Sequence, residues 1–156
     1  MEFKSREWMV ESAHRYLQAA YILANTGNLM QIAEVNAAFG IEILLKSLNS
    51  EVSSNASKPN EAYIPGKRGH NLLDLYESID PDILRVTGLN QFESWVKRLS
   101  TTNIRARYPY EKEASKGYSS VVVDIGEQML INIASYYKKN GAPEHWVEYI
   151  SNIESL

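Results

Sequence analysis

The sequence contains no cysteine, which removes thiol nucleophiles, disulfides and thiolate metal sites together and suits a reducing compartment. No apolar run approaches the roughly 18 residues of a membrane helix, and the opening "MEFKSREWMV" is charged where a signal peptide would be apolar. The expected address is therefore the cytoplasm, without membrane contact. No GxxxxGK and no GxSxG is present, which weighs against an NTPase or a hydrolase. The three histidines, His14, His70 and His145, lack metal-ligand spacing, so no metal and no cofactor is expected. Positive charge is also in short supply: the formal net charge of -3 speaks against a global nucleic-acid-binding field and leaves room only for a local patch.

What is present is an ordinary globular composition, 44% hydrophobic and 22% charged over 156 residues, enough to bury a core without staples and most simply read as one domain. Apolar residues recur at three- and four-residue steps in residues 5–25, with Gly27 as a stop. A stronger repeat through Ile32, Val35, Phe39, Ile43, Leu44 and Leu48 predicts a central helix over 29–50. Residues 51–69 collect Ser, Asn, Pro, Gly and Lys without periodicity and read as a long, mobile, exposed connection. "HNLLDLYESI" (70–79) predicts a short helix interrupted at Asp80-Pro81; Pro81 starts another that Gly88 ends, and a further helix follows from Asn90 to about Thr102. Ser119 or Ser120 can cap a long helix through Tyr137, its "SVVVDI" start being the one β-flavoured run. Pro143 opens a final amphipathic piece over about 143–155. The pattern predicts an all-α fold, an antiparallel up-and-down bundle of four or five helices with short additions.

The local patch is at 94–110, where Lys97, Arg98, Arg105 and Arg107 gather without an acid. In "RARYPY", Arg105 and Arg107 can grip phosphates as planar donors while Tyr108 or Tyr110 stacks on a base; alternatively the arginines face helix-end carbonyls and the tyrosines pack. Arg107 and Tyr108 are read as functional and Tyr110 as structural support. His70, after Gly69 at a helix start, suits a general base or a phosphate contact, or else a cap. Asp74, four residues on, either orients it or faces water, and water is favoured. Glu42 and Lys46 lie one turn apart; Lys46 can join Arg105 on a phosphate, but a surface intrahelical pair explains the spacing as well. His14 and Arg15 are expected at the surface, while Tyr136, Tyr137, Trp146 and Tyr149 cover the core or form a dimer face.

"AAFGIEILLKSL" (37–48), "GHNLLDLYESI" (69–79) and "ARYPYE" (106–111) follow one another as in HEPN-domain proteins, which the chain resembles over about residues 5–139. The resemblance implies a helical bundle, a homodimer, and a toxin–antitoxin or antiviral-defence setting, in some cases beside a nucleotidyltransferase-type partner. Many such domains are metal-independent ribonucleases with an Arg, four to six intervening residues, and then a His. Here positions 7–9, 63–65 and 138–140 hold no Arg, and Arg6 precedes His14 by eight. The expectation is thus a dimeric bundle that binds RNA or a nucleotide and is not an enzyme of the usual kind. The alternatives are a divergent ribonuclease pairing His70 with Arg105 or Arg107, and a non-enzymatic module that docks a protein partner.

Overall fold

The structure is a computed structural model that describes residues 6–52, 63–67, 69–107 and 119–142, together with His145, Glu148, Tyr149 and Asn152; over 102–107 it describes the backbone. Six α-helices make an all-α bundle, with one small two-stranded ladder among the described residues.

Helix α1 (Glu7–Ala24) and helix α2 (Met30–Asn49) form a hairpin. Asn25 and Thr26 turn their side chains back onto the carbonyls of Tyr21 and Ile22, and Asn28 takes the left-handed conformation that asparagine tolerates. Helix α6 (Val121–Lys139) packs against both. Leu17 of α1 lies where the three meet, fully buried against Gly40 of α2 and Gly126 of α6. A Cβ on Gly40 would sit 2.9 Å from Leu17 Cγ, so the glycines let the backbones close around one leucine. Ile41, Leu44 and Leu45 of α2 and Met129 and Ile133 of α6 complete this centre. "SVVVDI" is helical as expected, and the oxygen that receives the Val121 N–H is that of Ser119.

The C-terminal carbonyls of α2 would be orphaned without outside donors. Ser50 Oγ donates to Lys46 O, while Ser47 O accepts from Arg6 Nη1 at 2.7 Å and Tyr137 Oη at 3.2 Å. Asn49 O accepts the Gly66 N–H at 2.8 Å. That last bond extends the ladder of strand β1 (Ser50–Val52) with strand β2 (Tyr63–Pro65), antiparallel with Glu51 opposite Ile64. The expectation of a long exposed connection over 51–69 is corrected at its ends, 51–52 and 63–65, while 53–62 and 68 lie outside the described residues. Three-residue strands are too short to announce themselves by alternation; what fixes the pairing is the need of the α2 terminus for donors.

Helix α3 (Leu72–Glu77) starts two residues later than expected, because Asn71 rather than His70 is its cap: Asn71 Oδ1 accepts from the N–H groups of Leu73 and Asp74. Helix α4 (Pro81–Val86) has Pro81 in its first turn, Asp80 as its cap, and Gly88 in the left-handed region just beyond its end. A 3₁₀ turn (Leu89–Phe92) leads into helix α5 (Glu93–Arg107), five residues longer than the expected end at Thr102. No breaker intervenes in the sequence before Pro109, which restricts the residue before it, Tyr108.

Candidate functional site

Glu42 is buried on α2, with 4% of its surface exposed. A carboxylate so placed needs donors. Its Oε1 accepts from Lys46 Nζ at 2.8 Å and lies 2.7 Å from His70 Nδ1. With an ammonium already donating to that oxygen, the His70 contact is N–H donation as well. The proton is thereby assigned to Nδ1, and Nε2 is the nitrogen offered to a ligand. The imidazole is mostly exposed at 69%, and Lys46 is half-buried at 20%.

Two anchors hold His70 over Glu42. On one side Gly66 lies against Asn49, so closely that a Cβ would meet Asn49 O at 2.6 Å, and Asn49 Nδ2 in turn donates to Ser78 Oγ at 2.6 Å. Gly69, between the anchors, has φ of 114°, a conformation that side chains disfavour. On the other side Asn71 Oδ1 accepts from Ser100 Oγ at 2.7 Å, tying the residue after His70 to α5. From Ser100 the α5 backbone runs seven residues further, about 10 Å, to Arg107.

The arrangement redistributes the expected site. His70, Glu42 and Lys46 come together, although Glu42 was expected to pair with Lys46 alone. That pair is also not at the surface, and the ammonium of Lys46 is engaged by Glu42. The carboxylate on His70 is Glu42; Asp74 is exposed, as favoured. A helix-start anion site at His70 is corrected, since Asn71 takes the first N–H groups of α3. Arg105 and Arg107 lie in the last turns of α5; their side chains, and Tyr108 and Tyr110 entirely, lie outside the described residues, as does Trp146. Of the basic patch, Lys97 pairs with Glu93 at 2.6 Å, one residue before the acid-free window begins, and Arg98 lies over the Trp95 ring at 5.0 Å.

Elsewhere, Arg15 is exposed and paired with Glu11. His14 is corrected from a surface residue: it is half-buried, with Nδ1 2.8 Å from Tyr149 Oη and Nε2 buried without a partner. Burial, reinforced by Arg15, lowers its pKa. Tyr137 belongs to the core, and Tyr136 and Tyr149 pack against it.

Reading the sequence missed the Asn71–Ser100 tie. An asparagine directly before "LLDL" is a cap signal, but nothing in the sequence singles out Ser100. It also missed Glu34, buried on α2, whose carboxyl is raised by burial and partly offset by a hydrogen bond from the Ser119 backbone, and whose Oε2 has no partner. No group of three or more metal-ligating side chains occurs, and no helix is long and apolar enough to cross a membrane, among the described residues.

No family model, curated protein or solved structure matches the chain.

Proposed function

We propose that the chain is a HEPN-like bundle that binds a phosphate-bearing ligand, RNA or a nucleotide, beside His70, acting as a homodimer in a defence or toxin–antitoxin setting. The observation that carries this reading is the convergence of His70 and Lys46 on the buried oxygen of Glu42. A fixed imidazole presented outward from a buried carboxylate is built to meet a ligand. The Ser100 tie brings α5 to the same loop, and the last turns of that helix carry Arg105 and Arg107, whose guanidinium groups supply the charge that Lys46 gives up to Glu42.

The test is anisotropy with labelled single-stranded RNA, in EDTA and across salt, with a nucleotide as competitor. Replacing Arg105 and Arg107 together by Ala is expected to weaken binding about tenfold or more and to flatten the salt slope by about 0.7 for each lost phosphate contact. Equal affinity and slope in wild type and variant would overturn the reading.

A second reading, metal-independent RNA cleavage with His70 as general base, is favoured by the Glu42–His70 bond, since a carboxylate on Nδ1 leaves the lone pair on Nε2. Cleavage in EDTA that drops about 100-fold or more in His70→Ala is the expected sign. Activity that survives His70→Ala would exclude it.

A further inference from the structure

Between α1 and α6 lies an open cavity of about 510 Å³, within the size range of small-molecule sites. Leu17, Leu130 and Ile131 line it, and Tyr21 and Ile22 stand exposed at its edge. Such a lining would suit any apolar ligand. The selective feature is Glu127, half-buried in the wall. Its carboxyl is raised by burial and by Asp124, the acid three residues earlier on the same helix. Among the described residues no Lys or Arg lines the cavity; His14 of α1 does, with its pKa lowered by burial, and Arg15 beside it is engaged by Glu11. A carboxylate set in apolar surroundings beside a second acid is costly unless a positive group joins it.

We propose that this cavity binds a small apolar molecule carrying one positive charge, a lipophilic amine, with Glu127 as its counter-charge. The apolar body displaces poorly held water from Ile131, Tyr21 and Ile22, over the buried Leu17 and Leu130, and the ammonium donates to the Glu127 carboxylate. Specificity resides in the charge: an alcohol of the same shape gains the burial without the ion pair, and a carboxylate of the same shape meets Glu127 and Asp124 as repulsion. This site lies on elements other than the His70 loop and does not depend on the function proposed above.

Calorimetric titration of the full chain with phenethylamine, phenethyl alcohol and phenylacetate tests it, with methyl NMR shifts to locate binding. The expected result is saturable amine binding that shifts Leu130 and Ile131, at least about tenfold tighter than the alcohol, and no binding of phenylacetate. Glu127→Gln, which keeps the shape, should bring amine and alcohol to equal affinity. Gln18→Trp, on an exposed position at the mouth, should weaken both without touching the core. Absence of saturable amine binding, equal binding of amine and alcohol to wild type, or a preference that survives Glu127→Gln would each overturn the proposal. So would a dimer that Ile22→Asp dissociates while the amine fails to bind, which would assign this face to a second copy of the chain.

Discussion

Ser100 of α5 donates a hydrogen bond to Asn71 Oδ1 at 2.7 Å, and the same oxygen caps α3. One side-chain oxygen thus sets the start of a helix, the docking of α5 and the position of the residue that follows His70. Ser100→Ala removes the link and leaves the cap. It should cost about 1 kcal/mol in urea denaturation and weaken RNA binding beside His70 with the fold intact. Unaltered affinity alongside the stability loss would show that α5 does not position the loop.

Glu42→Ala should be the more damaging change. It strips the half-buried ammonium of Lys46 of its acceptor and frees the His70 ring, at a cost of about 2 kcal/mol in denaturant midpoint analysis. The ¹⁵N shifts of the imidazole give a second readout. In wild type they should report a proton held on Nδ1; in Glu42→Ala that Nδ1–H signature should be lost.

Gly126→Ala drives a methyl group into Leu17 Cδ2, and Leu17, whose Cγ packs on Gly40, must shift to admit it. Overpacking of this kind typically costs about 1–3 kcal/mol. Leu17→Ala alone should lose about 2–5 kcal/mol through the cavity it opens. Combined, the two should be less harmful than their sum, since each relieves the defect of the other, and a double-mutant cycle by thermal or chemical melting reads that coupling.

Glu34 predicts a slope in stability against pH. Its carboxyl is raised in the folded chain above its unfolded value of 4.5, so between the two values the folded state holds more protons and stability falls as pH rises. Ionising this buried carboxyl therefore costs stability as pH rises above 4.5. Glu34→Gln, which retains an acceptor for the Ser119 N–H, should raise the melting temperature at neutral pH and reduce the fall in stability as pH rises above about 4.5. A variant that melts lower at neutral pH, or keeps the full slope, would contradict this.

The helices of the bundle were legible because their signals are periodic and repeated, but the face was read with an offset: of the α2 stripe named from the sequence Leu44 and Leu48 are buried while Ile32 is exposed, and Ala37, Ile41 and Leu45 complete the buried face. Pro81 and Gly88 marked the bounds of α4 for local reasons of backbone conformation. What the sequence concealed depends on chain reversal. Glu42 and His70 are 28 residues apart, and no local pattern reports that the turn at Gly66 lays the second over the first. The strands were hidden for the same reason, since their hydrogen bonds continue from the end of α2 and do not arise from an apolar alternation. The length of α5 was legible in principle: Pro109 restricts Tyr108 and nothing earlier, so the helix had no cause to stop at Thr102.

The bond from the Gly66 N–H to Asn49 O has an evolutionary corollary. It references the His70 loop directly to the end of α2, across the ten residues, 53–62, that separate the strands in sequence. Because closing a loop twice as long costs only about 0.6 kcal/mol, that interval can gain or lose residues while the spacing from Gly66 to Asn71 must not. Descendants of this chain are free to diversify there, by insertion of a recognition segment for instance, without redesigning the chemistry a few residues downstream.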